Sequence, residues 1–173
     1  MLYLLFQIGH DRYALEASHA VEVIPLLALK KIPQAPRGVA GIFNYRGQPV
    51  PALDLCELTF GHPATERLST RIIVVRYSRE PGVESRVGSR VESRESRAGL
   101  ALDPRPSTLF GIIAEHATEM MRRDERDFVD SGVKVRAAPY LGPVLMDHKG
   151  VIQLLHAQHL LGEGVRELLF TEG

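Results

Sequence analysis

Eight short apolar runs, each closed off within a few residues, limit what this chain can fold into. They are Leu2 to Ile8, Tyr13 to Leu15, Val21 to Leu29, Val39 to Tyr45, Val50 to Leu53, Arg71 to Tyr77, Thr108 to Glu115 and Tyr140 to Met146, and most are bounded by Gly, Pro or Asp. Runs of this length read as strands. The long amphipathic helices that a parallel crossover requires are missing between them, so a mostly antiparallel sheet or barrel is expected. Helical candidates are brief: Ala17 to Ala20, Asp54 to Thr59 with Asp54 placed to cap it, and Gln153 to Leu161.

The most specific stretch is Pro36 to Leu55, PRGVAGIFNYRGQPVPALDL. Val39, Ile42, Phe43 and Tyr45 supply the β-branched and aromatic bulk of one strand, and Val50, Ala52 and Leu53 that of a second. Gly47 supplies the corner between them, and Arg46 stands beside it. A guanidinium at such a turn either pairs with a carboxylate of its own fold or faces a partner.

Length and charge narrow the function classes. At 173 residues the chain holds one domain, or two small subdomains sharing a core. The 21 basic and 21 acidic side chains balance, so there is no overall field to draw in nucleic acid or an anionic membrane. Arg122-Arg123 is followed at once by Asp124, Glu125 and Asp127, which breaks any phosphate-tracking stripe. Cys56 is the one cysteine, so neither an intrachain disulfide nor a cysteine-based zinc site can form. Flanked by Leu55 and Leu58, it reads as packed. The opening MLYLLFQI has no basic segment before it and stops at Gly9-His10-Asp11-Arg12, so it reads as a strand. No run approaches the ~20 apolar residues of a membrane helix. A cytoplasmic location is expected.

Residues 79–99, REPGVESRVGSRVESRESRAG, repeat a Val-x-Ser-Arg unit. Five Arg, four Glu and only three Val among these 21 residues bury too little to offset ordering, so a solvated, flexible loop between strands is expected. Met120 to Ser131 reads as a charged surface connection with Phe128-Val129 turned inward.

No catalytic constellation emerges. There is no Gly-x-Ser-x-Gly elbow, no phosphate-cradling Gly-x-x-x-x-Gly-Lys-Ser/Thr and no Gly-x-Gly-x-x-Gly after a strand. His156 and His159 have a spacing that can place two imidazoles on one helical face, with Asp147 and His148 nearby, but a third converging ligand is not evident. Asp54, Glu57, Asp103, Glu115 and Glu119 lie where caps and turns explain them. Catalytic residues, metal and cofactor are all expected to be none.

Six elements in order do point to a family. Tyr3-Leu4-Leu5-Phe6, Tyr13-Ala14-Leu15, Val21-Glu22-Val23-Ile24, Ile32-Pro33-Gln34-Ala35-Pro36, Gly41-Ile42-Phe43-Asn44-Tyr45-Arg46-Gly47 and Pro51-Ala52-Leu53-Asp54-Leu55 together resemble the CheW-like chemotaxis coupling proteins. The match weakens through Arg71 to Tyr77, Leu109 to Glu115 and Val144 to Leu161. Three departures stand out: Ile113-Ala114-Glu115-His116-Ala117 where the family has Val-Asp-x-Val, Leu154-Leu155-His156 in place of a closing Leu-Asp step, and the long repeat at 79–99. They suggest a specialised, non-flagellar chemosensory system.

The resemblance implies a mainly β fold over 1–173: two interleaved, five-stranded, SH3-like β-barrel subdomains on a shared apolar core, with short helices. It implies a non-catalytic scaffold joining a methyl-accepting chemoreceptor's cytoplasmic tip to a CheA-type histidine kinase, recruited to receptor arrays and meeting the membrane only through the receptor. Residues implied in receptor or kinase binding are Glu22, Val23, Ile24, Val39, Gly41, Ile42, Phe43, Arg46 and Gly47, with Glu22 and Arg46 as a charged pair. Alternation along strands lets only about half of the apolar ones face a groove. An adaptor joining other members of such a pathway is the second reading. A β-barrel enzyme or ligand-binding barrel would need convergent polar groups, which the sequence does not display.

Overall fold

The computed structural model describes residues 1–77, 108–162 and 165–166. Among the described residues nine strands follow one another: β1 (Leu2–Ile8), β2 (Asp11–Glu16), β3 (Ala20–Pro25), β4 (Val39–Tyr45), β5 (Gln48–Asp54), β6 (Arg71–Tyr77), β7 (Thr108–Arg122), β8 (Leu141–Asp147) and β9 (Gly150–Leu155). A short α-helix, α1 (Leu55–Phe60), follows β5 directly. Asp54 caps it as expected, its carboxylate accepting from the amides of Cys56 and Glu57 at 2.9 and 3.2 Å.

Strand β7 organises the molecule because it serves two subdomains in turn. Its first half pairs with β6 from Thr108 to Ala114, and its second half pairs with β1 from Glu115 to Arg122. At the change of partner, His116 takes a left-handed φ of 49° and the β1 register slips. Five strands therefore belong to each half: β3, β6, β5, β4 and the start of β7 in the first, β1, β2, β9, β8 and the end of β7 in the second. Two of the ladders, β2 with β9 and β5 with β7, are parallel, the remainder antiparallel.

Alternation of side chains along these strands creates three cores rather than one. Ile72 and Val74 of β6 join Phe43, Tyr45, Val50, Ala52 and Ile113 inside the first subdomain. Tyr3, Ala14, Phe128, Leu145 and Ile152 fill the second. Ile73, Val75, Phe110 and Ile112 turn the other way and meet Leu4, Phe6, Ile8, Leu15 and Leu155 in the largest cluster, which lies between the two subdomains. The shared apolar core is present as expected, and Cys56 is packed in it.

Several expectations need correction. Neither five-stranded ladder closes into a complete barrel: the segments that follow β3 and β7 make only isolated bridges to the far outer strand, Lys30 to Ile42 in the first subdomain and Val129 to Val144 in the second. Strand β3 ends at Pro25 instead of Leu29, because proline has no amide to continue the ladder. Strand β7 runs seven residues past Glu115, since β1 offers its open edge to 115–122. The expected helix from Gln153 to Leu161 is instead the end of β9 and a single 3-10 turn at Ala157–His159, which removes the helical face that His156 and His159 were to share. Phe128 is turned inward as expected, but Val129 is 55% exposed. The repeat at 79–99 lies outside the described residues. Among the described residues no helix is long and apolar enough to cross a membrane.

Candidate functional site

The hairpin of β4 and β5 turns on two residues. Tyr45 pairs with Gln48, and Arg46 and Gly47 between them have φ of 49° and 83°. Left-handed backbone at both central positions is what a two-residue hairpin needs to follow strand twist. Glycine adopts it without cost, whereas Arg46 is held there by the hairpin. Asn44 secures the corner, its Oδ1 accepting from the Gly47 amide at 2.8 Å. The Arg-Gly corner is thus built from local sequence, and it projects the Arg46 side chain off the end of the sheet.

Tertiary structure then brings Glu22 to it. Strands β3 and β4 are the two outer strands of the first subdomain and share no ladder. Across that gap the Glu22 carboxylate accepts the Tyr45 hydroxyl proton at 2.6 Å and an Arg46 guanidinium N–H at 3.0 Å, both on Oε2. The Arg46 guanidinium also lies 5.2 Å from the centre of the Tyr45 ring. The hydrogen bond to Glu22 holds the Tyr45 phenol above its ordinary pKa. Arg46 remains 75% exposed and Glu22 39% exposed, so the pair itself contributes only about 0–1 kcal/mol to stability.

The remaining candidates divide by depth. Val23 pairs with Ile73 and therefore lies on the shared-core side of β3, yet is 36% exposed, beside Val21 at 40%. Ile24 faces the other way and partly covers the first subdomain's interior. On β4, Ile42 lies half-buried on the outer face, while Val39 and Phe43 are buried in the shared and first-subdomain cores. They support a surface and do not line one on this strand's outer face. Gly41 is buried for a different reason: a Cβ there would stand 2.5 Å from the Lys30 carbonyl oxygen, so its absence lets residue 30 form its two bonds with Ile42. Of the nine residues, Glu22, Val23, Ile24, Ile42, Arg46 and Gly47 are at least partly exposed, and Val39, Gly41 and Phe43 are buried beneath them.

Four tethers escape sequence reasoning. Tyr45 reads as core bulk, and nothing in the sequence ties its hydroxyl to residue 22. Arg12 and Asp147 form a two-pronged ion pair at 2.7 and 2.9 Å across 135 positions, so Asp147 is engaged there and not with His156 or His159. Asp54 also accepts from the amide of Ala64 at 2.9 Å, and Glu115 from that of Thr65 at 3.1 Å, fastening the loop before β6. Glu115 and Asp54 are buried in structural roles. A cleft of about 800 Å³ runs between that loop and residues 26–37, and the Asp54 carboxylate at its wall accepts three backbone amides. Among the described residues no buried side-chain polar atom lacks a partner, and no three His, Cys, Asp or Glu side chains converge as metal ligands.

Comparisons with known proteins agree with this architecture. The CheW-like domain matches residues 2–164. The chemotaxis protein CheW of Helicobacter pylori (strain ATCC 700392 / 26695) is 34% identical over 74 residues, 42% of this chain and 44% of that protein. The match thus spans less than half of that relative. The crystal structure of the scaffolding protein TtCheW from Thermoanaerobacter tengcongensis is similar in fold, with a TM-score of 0.72 at 18% identity, covering 97% of this chain and 92% of that one.

Proposed function

Since the chain belongs to the CheW-like domain family, we propose that it is a non-catalytic coupling protein that joins a chemoreceptor's cytoplasmic tip to a CheA-type histidine kinase. The observation that carries this reading is the state of Arg46: its guanidinium is oriented by Glu22 and Tyr45 on one side and open to solvent on the other. A purely structural arginine would be expected to use its donors inside the fold. This one keeps most of its five N–H groups for a carboxylate or carbonyl arriving from outside.

A receptor tip is a helical hairpin, and its apolar stripe needs an aliphatic surface to cover it. Val21 and Val23 provide exposed aliphatic side chains for it on the strand that carries Glu22. Ile42 flanks the same open side. The arrangement suits an apolar interface with a charged edge, where the charges set orientation and the buried aliphatic area supplies affinity. Location in the cytoplasm, and association with the membrane only through the receptor, belong to the same proposal.

Binding of the purified protein to an isolated receptor-tip hairpin and to the kinase's regulatory domain tests it. Arg46→Ala should move Tm by no more than about 4 °C, because an exposed pair contributes about 1 kcal/mol or less in a chain of this size. At least one of the two affinities should fall roughly tenfold, the scale expected when an oriented charge is removed from an interface. If both affinities are unchanged with Tm preserved, the assignment of this corner is wrong. If neither partner binds the unaltered protein, the coupling reading itself fails.

A further inference from the structure

We infer that Tyr45 is a positioning residue for the docking corner, presetting the Arg46 guanidinium before a partner arrives. The inference rests on the proposed coupling function and concerns how that site is made ready.

Tyr45 touches both members of the charged pair in different ways. Its hydroxyl donates to Glu22 Oε2, the same oxygen that receives Arg46. Its ring lies against the guanidinium at 5.2 Å, within the range where a cation is drawn to an aromatic face. The ring itself cannot move, because it is 7% exposed and packs edge-on to Phe43 at 6.5 Å in the first subdomain's core. A fixed ring therefore anchors a carboxylate that would otherwise swing on its own flexible stem, and the anchored carboxylate anchors the arginine. Without the hydroxyl, Glu22 would be tied to this corner through Arg46 alone, and two exposed long side chains bear most of the entropy cost of holding one geometry.

The location makes this matter for binding. Glu22 and Tyr45 stand on the two outer strands of the first subdomain, which share no ladder, so the hydroxyl-carboxylate bond also ties that open seam. Arg46 is thus referenced to both sides of the seam when it meets a partner. Immobilising a long side chain at an interface weakens binding, and presetting it removes that cost from the binding step.

Tyr45→Phe keeps the ring, its edge-on packing with Phe43 and the cation-π geometry, and removes only the hydroxyl. The expected result is a roughly three- to tenfold loss of affinity for whichever partner Arg46→Ala weakens, with the fold retained and Tm lowered by a few degrees, as loss of one hydrogen bond to a carboxylate implies. A second readout needs no partner: the Arg46 side-chain Nε–H signal should show restricted motion by ¹⁵N relaxation in the unaltered protein and faster motion in Tyr45→Phe. Glu22→Gln with Tyr45 retained should fall between the two. If Arg46→Ala weakens binding while Tyr45→Phe changes neither affinity nor Arg46 relaxation, positioning by Tyr45 is refuted and the docking role of Arg46 stands. If Tyr45→Phe frees Arg46 while Arg46→Ala leaves binding unchanged, the coupling site lies elsewhere and presetting has no function.

Discussion

The clamp between Arg12 on β2 and Asp147 on β8 offers the sharpest quantitative test of this fold. Strand β8 is the last in its sheet, held by β9 along one edge and by the single Val129 bridge on the other. Arg12 reaches across β9 to grip it with two parallel N–H···O bonds, and both side chains are largely buried, 18% and 9% exposed. Asp147 accepts a further bond from the Lys149 amide at 2.8 Å. The Arg12 guanidinium, aided by that amide, holds the Asp147 carboxyl well below the usual carboxylate range. Two unit charges at 4 Å in an effective dielectric near 20 attract by about 4 kcal/mol, and taking them out of water offsets part of that. Hydrogen bonds to charged groups contribute a net of about 1.5–3 kcal/mol, so Asp147→Asn should cost about 2 kcal/mol at pH 7. Arg12→Met should cost at least as much, because it leaves the half-buried Asp147 carboxylate without its guanidinium.

Urea unfolding measures this directly. With a slope of about 2 kcal/mol per molar, the Asp147→Asn midpoint should drop by about 1 M. The pH dependence follows from the sign of the shift. A carboxyl depressed in the folded state contributes stability that is complete above its unfolded pKa, near 3.9, and is lost as pH falls through that value toward the folded one. The gap between the unaltered protein and Asp147→Asn should therefore be constant from about pH 5 to 7 and should close below about pH 4. A gap under about 0.5 kcal/mol at pH 7, the scale of an ordinary surface change, would refute a clamp. So would a gap that persists unchanged at pH 3.

Two further substitutions probe the frame of the site. Gly41→Ala puts a Cβ 2.5 Å from the Lys30 carbonyl at a φ of 151°, so it should destabilise by about 2 kcal/mol or more in thermal unfolding and release amide exchange at Lys30 and Ile42. Asp54→Asn keeps an oxygen for the α1 amides but turns an NH₂ toward the Ala64 amide, donor against donor. It should cost about 1–3 kcal/mol by urea unfolding, with the 62–70 loop losing hydrogen-exchange protection before α1 does.

How legible the fold was depended on whether a residue's local surroundings decided its state. Leu2–Ile8, Val39–Tyr45 and Arg71–Tyr77 are strands with the expected bounds, because alternating β-branched and aromatic residues between breakers favour nothing else. The Asp54 cap needs only amides two and three residues on, so it too was readable. His116 to Arg122, HATEMMR, has little β-forming character, and β1's open edge makes it a strand. Val151 to Leu161 has an ambiguous period, and its first five residues become part of β9 only by pairing with β2 and β8.

The candidate site divides along the same line. Sequence alone determined the corner: glycine at 47, asparagine at 44 to brace it, and an arginine between strands, all interactions within four residues. It also determined that Val23, Ile24, Ile42 and Phe43 alternate. Which face was the outside depended on where three separate cores formed, and that is a property of strands far apart in sequence. Only the tertiary structure brought Glu22 to within 3.0 Å of Arg46 and ended the Tyr45 hydroxyl on the same oxygen. The physical reason is range: turn geometry is settled by neighbouring residues, whereas a side chain's partner across an open seam is settled by the packing of the whole subdomain.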